Sequence, residues 1–464
     1  MTVKKNEIVE LFISDLAFGG MGVAKIDDFT IFVDHSVPMD KVSARIIKKK
    51  PNYAEAVMLK IIEPSPYRIS PECKYSGYCG GCRLQHLNYD KQIEFKNKQV
   101  RDCLSHIGLI KEALVLPTLP SDEIFGYRNK MEFSFCDRKY FLPDETSNNE
   151  SFALGLHVPK IFHKVLDIDK CLLLPETGNH ILTDIKKLMK ESNLPVYGIR
   201  SHTGFWRFLV LRYSFAHDIW MINIVTSSED KKALEPISKY LVQKYPKISS
   251  IVNNINSKKA SIAFGEYEIS LYGNSVINEK IGDYTFEISS NSFFQTNTNQ
   301  AYKLYKIVEE YSALKGYETV VDLYCGTGTI ALWLAKKAKK VIGIELIESS
   351  VIDAKKNANK NNISNCQFIC GDIKDTLSDI NEKIDVMIID PPRVGMHKDV
   401  IKNIIKFSPS KIIYVSCNPS TLARDVNMLK DHYTLLEVQP VDMFPHTYHI
   451  ESVAKLVKNN GGNI

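Results

Sequence analysis

Hydrophobic and polar positions follow a different rhythm in each of three stretches of the chain. Over residues 1–62 they alternate in short runs, Glu7-Ile8-Val9-Glu10-Leu11-Phe12-Ile13 and Phe29-Thr30-Ile31-Phe32-Val33, separated by the turn Phe18-Gly19-Gly20-Met21-Gly22. A period of two marks strands with one buried face. This stretch therefore predicts a small β-domain of about five short strands, an OB-like barrel. Lys48-Lys49-Lys50, preceded by Arg45, closes it, and Pro64, Pro66 and Pro71 mark a linker. Residues 63–290 mix β-rich segments (131–136, 208–213, 220–225) with polar helical stretches and predict an α+β region. Within it, Asp144 to Ser151 reads as an exposed loop, and the helical Tyr89 to Leu104 fits against either the middle or the last region.

Over residues 291–464 short apolar runs (317–324, 341–346, 366–370, 384–390, 411–417) alternate with helical segments such as 330–339 and 349–362. Strand and helix in alternation predict a parallel sheet covered on both faces, a doubly wound, Rossmann-like domain. The fold class is thus multidomain α/β. No apolar run reaches the ~18 residues of a membrane helix, and Glu10 and Asp15 interrupt any signal-peptide core. A cytoplasmic protein without membrane association is expected, and no obligate protein partner is evident. Lys and Arg total 59 against 54 acids, a net charge of +5 that permits a polyanionic partner without demanding one. Residues 1–62 hold nine basic against eight acidic side chains, a local basic run and not a basic surface.

Asp322-Leu323-Tyr324-Cys325-Gly326-Thr327-Gly328 follows a predicted strand and opens a helix. Its glycines Gly326 and Gly328 let backbone approach a ligand closely. Glu345, at the end of the next strand, can accept hydrogen bonds from the ribose hydroxyls of an adenosine cofactor. Dinucleotide domains look similar, but their third glycine is missing here, where Thr329-Ile330-Ala331 follow. A phosphate-free nucleoside such as S-adenosylmethionine suits the loop better. Asp372 and Asp390 stand at further strand ends, where α/β sheets build their sites; Asp372 reads equally well as a helix N-cap.

A cysteine just past a buried strand is more often an apolar filler than a nucleophile. Around Cys417, however, Ser416, Asn418 and Thr421 are polar, and the nearby Arg424 can favour a thiolate. The C-terminal run Asp442 to Glu451 offers His446, His449 and Glu451 for proton transfer. Of ten cysteines, Cys73, Cys79 and Cys82 lie within ten residues in a x5, x2 spacing that suggests a metal site, with Cys171 the best fourth ligand. Four thiolates suit structural zinc and [4Fe–4S] equally. Cys103, Cys136, Cys325, Cys366 and Cys370 read as buried or semi-buried thiols.

Taken together, the loop Asp322 to Gly328, Asp390-Pro391-Pro392-Arg393, Ser416-Cys417-Asn418-Pro419 with Thr421-Leu422-Ala423-Arg424-Asp425, and His449-Ile450-Glu451 resemble, in order, the motifs of the RNA uracil-C5-methyltransferase family. Phe293-Phe294-Gln295-Thr296-Asn297 resembles the segment lining that family's cofactor and base pocket, and residues 13–24 resemble its TRAM RNA-binding module. The resemblance implies S-adenosyl-L-methionine as cofactor, Cys417 as nucleophile on C6 of uracil and Glu451 as the base that removes the C5 proton. It places Gln295, Tyr324, Glu345 and Asp390 at the cofactor. It implies a [4Fe–4S] cluster on Cys73, Cys79, Cys82 and Cys171, and RNA as partner, with 23S ribosomal RNA favoured over tRNA. An amino-methyltransferase, for which Asp390-Pro391-Pro392 alone suffices, and a non-catalytic RNA-binding or assembly factor are the rival classes.

Overall fold

The computed structural model describes residues 3–145 and 152–459. The predicted loop Asp144 to Ser151 falls at 146–151 outside the described residues; Asp144 and Glu145 are exposed. Six strands form the first sheet, in the order Ile8–Phe12, Lys41–Lys49, Tyr53–Glu63, Phe29–Asp34, Gly22–Ile26, Asp15–Leu16. Alternation does what the pattern demands: Ile31 and Val33 enter a small core with Leu11, Val42 and Ile46, while Thr30 and Phe32 face outward. Ile8–Phe12 also touches Gly22–Ile26, so the sheet curls toward closure.

The middle region carries an eight-stranded sheet, ordered Tyr267–Gly273, Ile248–Ile255, Ile219–Thr226, Trp206–Ser214, Lys130–Cys136, Ala153–Val158, Ile161–Asp167, Lys139–Tyr140. Helix Glu176–Glu191 packs Ile181, Leu182 and Ile185 on it, and Lys231–Lys244 packs Leu234, Ile237 and Leu241.

The third sheet runs Cys366–Cys370, Lys340–Glu345, Thr319–Leu323, Val386–Ile389, Lys411–Ser416, Glu451–Lys458, Tyr433–Val441, Leu114–Val115. Its first five strands are parallel, and their near-continuous apolar runs reflect cover on both faces. Glu451–Lys458 is the exception, antiparallel to both neighbours. The first helix after the glycine loop ends at Ala335, not Lys339, because the Lys339 and Lys340 amides turn to the Glu318 carbonyl. Helix Tyr89–His106 packs on Pro419–Leu429, with Val100 and Leu104 in the same core as Leu422 and Ala423. The hairpin Val276–Ile281/Tyr284–Ser289 joins the other face, placing Phe286 and Ile288 with Leu304 and Trp333.

Candidate active site

Strand register alone brings Cys417 and Glu451 together. Ser416 pairs with Ser452 across the antiparallel ladder, so the next cross-strand position is Cys417 opposite Glu451, where Cβ atoms stand about 5 Å apart. Ile389 pairs with Tyr414 on the other side. Asp390, just past its strand, is therefore one strand spacing, about 4.8 Å, from the turn that carries Cys417.

Burial governs the protonation of this group. The Glu451 carboxyl is buried and pushed well above the usual range, with the negative field of Asp390 adding and Arg393 opposing. Burial pushes Asp390 to about 7. Cys417 is pushed to about 11 by burial first, then by Glu451 and Asp390, with Arg393 again the opposing cation. The residue after Cys417, Asn418, caps helix Pro419–Leu429 by accepting from the Ser420 amide (3.0 Å). The thiol thus sits at the positive end of a helix dipole, which favours its anion.

Arg424 does not serve the thiol as its position in the sequence suggests. Its Nε donates to Asp425 Oδ1 (2.7 Å) and Nη2 to the Val394 carbonyl (3.0 Å). Asp425 in turn accepts from the Met396 amide and the Tyr414 hydroxyl, both at 2.8 Å. Asn418 Nδ2 and Thr421 Oγ1 reach the Arg393 carbonyl at 3.1 and 3.4 Å. The Thr421–Asp425 segment thereby fastens the loop after Asp390 to the helix after Cys417. The cation at the thiol is Arg393, quoted in the Asp-Pro-Pro-Arg run yet given no role by sequence reasoning. Its Nη2 lies 3.3 Å from the His449 ring. Burial lowers His449 to about 3 and His446 to about 4, so both stay neutral at physiological pH.

Two spaces that share Tyr324 and Asp390 in their lining adjoin this group. One, of ≈ 380 Å³, is lined by Phe293, Gln295, Asp322, Tyr324, Gly326 and Asp390. The other, a cleft of ≈ 1560 Å³ open to solvent, is lined by Tyr324, Glu345, Ile347, Asp372, Asp390 and Val394. Tyr324 turns the chain between them in the left-handed region (φ 64°). Gly328 (φ 78°) could not carry a side chain, since a Cβ would stand 2.9 Å from the Phe368 ring. Glu345 accepts from the Gly326 amide (3.0 Å) and the Ile347 amide (2.9 Å), fixing the loop against the next strand while leaving lone pairs toward the cleft. Asp372 both caps its helix, accepting from the Lys374 amide (3.1 Å), and lines the cleft.

Asp322 is the anomaly of the site. Neither carboxyl oxygen meets hydrogen-bond geometry, although the Ala331 amide lies close enough to favour the anion slightly. Burial, with Asp390 and Glu345 beside it, raises Asp322 well above the ordinary value. Orphaned buried acceptors beside an open pocket are what a cationic or N–H-bearing ligand would satisfy. Sequence reasoning missed the apolar rim, Leu346, Ile347 and Val394, all exposed at the cleft. Exposed apolar side chains at strand ends, where water would otherwise be favoured, are a signal that could have marked it.

Cys73, Cys79 and Cys82 pack against the middle core, of which Cys171 is a buried member. The charges of Cys171 and Cys73 add to the effect of burial at Cys79 and Cys82, so the four thiols lie in one neighbourhood. Burial raises all four, Cys79 to about 12. Among the described residues no group of His, Cys, Asp and Glu converges on a single metal-ion position. Of the other cysteines, Cys370 differs from expectation: it is exposed, because its strand is the sheet edge. No described helix is long and apolar enough to cross a membrane.

Residues 229–459 match the profile of the tRNA (Uracil-5-)-methyltransferase family, and residues 2–59 match the TRAM domain. The chain is 41% identical to an RNA methyltransferase of Chlorobaculum tepidum, over 97% of this chain and 96% of that protein. It is 37% identical to one of Halalkalibacterium halodurans, over 99% and 98%. Among solved structures, the tRNA (uracil-54, C5)-methyltransferase of Pyrococcus abyssi in complex with S-adenosyl-L-homocysteine matches with a TM-score of 0.77 and 32% identity, covering 97% of this chain and 99% of that one. The chain belongs to the S-adenosylmethionine-dependent RNA uracil-5-methyltransferase family.

Proposed function

We propose that the protein methylates C5 of a uridine in 23S ribosomal RNA through a covalent bond from Cys417 to C6 of the base. The single observation that carries the chemistry is the Ser416–Ser452 register, which sets Cys417 one step further, next to the buried Glu451 and beside Asp390. Uracil C5 is too weak a nucleophile to accept a methyl group unaided. Addition of the Cys417 thiolate to C6 makes an enolate with carbanion character at C5. Bound S-adenosylmethionine supplies the electrophilic methyl group at that carbon. Glu451 then takes the C5 proton, and the electrons of that bond reform the C5–C6 double bond as Cys417 departs. A desolvated carboxyl of raised pKa is a stronger base toward a carbon acid than an exposed one. Gln295, Asp322, Tyr324, Gly326, Gly328, Glu345, Asp372 and Asp390 hold the cofactor, and Phe293, 65% exposed at the pocket, stacks on the flipped base.

The Cys-x5-Cys-x2-Cys spacing with the distant Cys171 suits zinc and [4Fe–4S] alike; its resemblance to the family's pattern supports the cluster. Methylation is redox-neutral, so the cluster's place is structural. The TRAM module together with these cysteines supports ribosomal RNA; the likeness to the Pyrococcus enzyme favours tRNA as a second reading.

The test is incubation with S-adenosylmethionine and unmodified 23S RNA or tRNA transcripts containing 5-fluorouridine. With no C5 proton to remove, the wild type should stay covalently bound to the 23S transcript. Cys417→Ala should give no adduct, and Glu451→Gln should accumulate one on ordinary uridine RNA. Retained methyl transfer by Cys417→Ala would overturn the mechanism, and adduct on tRNA alone would replace the substrate.

A further inference from the structure

The hairpin Ala153–Val158/Ile161–Asp167 of the middle region carries features that the methyl-transfer site does not use. Phe162 is 67% exposed near its tip. Phe162 and Lys164 are two apart in one strand and so project to the same face. That strand pairs in parallel with Lys139–Tyr140, Val165 opposite Lys139. The register extends one step, through the bond from the Val165 amide to the Arg138 carbonyl (3.2 Å), and sets Arg138 beside Lys164. Arg200 lies two residues past Gly198, which abuts Asp137, the residue before Arg138, and its charge adds to those of Arg138 and Lys164. None of these three cations has an ion-pair partner among the described residues, whereas lysines elsewhere on this surface are paired. Asp137, the acid next to Arg138 in the sequence, lies against Gly198.

The hairpin is also continuous with the barrel. Glu55 accepts from Lys48 (2.5 Å) and pairs with Lys160 at the hairpin turn (3.7 Å), so one acid is neutralised by a lysine from each side. At the opposite end of the adjoining strand Lys130–Cys136, Asn129 bonds the Gln295 and Thr296 backbone, whereas Cys136 reaches the His163 carbonyl (3.5 Å). Seven residues of strand, about 23 Å, thus separate the pocket from the hairpin.

We propose that Phe162 with Arg138, Lys164 and Arg200 forms a platform for single-stranded RNA, extending the barrel's contact with the strand that flanks the target uridine. Unpaired cations neutralise phosphates, and an exposed aromatic ring among them stacks on bases without regard to sequence. The proposal rests on the RNA reading above and concerns where the strand lies, not the chemistry done on it.

The test uses the full chain and a fluorescent single-stranded RNA of about 20 nucleotides, longer than one OB-type barrel covers. Affinity is measured against salt for wild type, Phe162→Ala, and the triple variant Arg138→Gln/Lys164→Gln/Arg200→Gln. The triple variant should bind at least about tenfold more weakly, with the slope of log affinity on log salt reduced by about 2, at ~0.7 for each phosphate no longer neutralised. Phe162→Ala should lose about fivefold or more with its slope unchanged. Both should keep wild-type melting and S-adenosylhomocysteine binding, and both should form the 5-fluorouridine adduct when RNA is saturating. Affinity within twofold of wild type in either variant, or an unchanged slope in the triple variant, overturns the platform. Absence of the adduct in the wild type itself would instead strike the methylation reading and leave the binding result standing.

Discussion

The acids of the site are assembled before their counter-charge arrives. Asp390, Glu451 and Cys417 stand together, and Arg393 is the cation that opposes the protonation of Glu451 and Cys417. S-adenosylmethionine carries a sulfonium; on the proposed reading it binds in the pocket that Asp390 lines, and a charge one to two strand spacings from Cys417 would stand about 7 Å away. At an effective dielectric constant of about 20 the interaction is about 332/(20 × 7), or ~2.4 kcal/mol, equivalent to about 1.7 pKa units. The Cys417 thiol, at about 11 in the free protein, should therefore fall to about 9 when the cationic cofactor binds, raising the thiolate fraction near neutral pH roughly fifty-fold.

The assay is the rate of iodoacetamide alkylation of the Cys417 peptide against pH, read by mass spectrometry to separate it from the other cysteines. Sinefungin, with an ammonium where the sulfonium stands, is compared with S-adenosylhomocysteine, which is neutral there; similar bulk controls for shielding. The apparent pKa should be lower with sinefungin by between about 1 and 2 units. The sign also requires that sinefungin affinity rise with pH through about 7, as Asp390 ionises, while that of S-adenosylhomocysteine follows it less. Identical alkylation profiles for the two ligands would refute the electrostatic reasoning.

Asp322→Asn should stabilise the free protein and weaken cofactor binding. Asp322 has a raised folded pKa, so stability falls as pH climbs from the ordinary carboxyl value toward the folded one. The gain in melting temperature should be absent near pH 4 and grow toward pH 8, by about 2–4 °C per kcal/mol. Lys96→Met should destabilise by about 3–5 kcal/mol, because it leaves Asp442, fully buried and 2.7 Å from Lys96 Nζ, without its cation; chemical denaturation measures this, and added Asp442→Asn should recover part of it. Cys82→Ser should abolish the broad visible absorbance and most bound iron of anaerobically purified protein, while Cys103→Ser, whose thiol sits instead near Ser420 (3.5 Å), should leave both intact.

Local pattern carried far in this chain, and its limits have physical causes. Alternation located the barrel strands because each has one wet face, and the parallel strands were legible because both their faces are covered. The glycine loop, Cys417 and Glu451 were legible as motifs. Their meeting rests on the register of two strands separated in the chain by residues 417–450, which no local signal encodes. The misreading of Arg424 has the same origin. Seven residues from the thiol in sequence, it is turned away by a helix whose face directs it to Asp425 and the 394–396 carbonyls. Leu114–Val115 was invisible as part of the third sheet because two residues carry no periodicity.

The dependence of the site on distant chain explains why the middle region cannot be regarded as an appendage. Glu451 begins its strand directly after the loop 442–450, so the loop sets where the carboxyl stands. Asn297 and Gln300 donate to its Met443 and Asp442 carbonyls from within the C-terminal region, and most of the rest of its hold comes from outside. The Arg83 and Leu84 amides both donate to the His446 carbonyl at 2.9 Å, and Gln92 accepts from the His446 amide at 3.0 Å. The Tyr127 hydroxyl donates to the Pro445 carbonyl (3.0 Å), and Lys96 and Tyr89 close on Asp442. Arg83 is the residue after Cys82, so the segment that carries the thiol group and the segment that carries the base are joined backbone to backbone. Whatever orders the four cysteines therefore orders the approach to Glu451, although no electron need pass between them. The segment that follows Cys82 thus braces the loop that leads into Glu451, and on the proposed reading the cysteine group serves as a clamp.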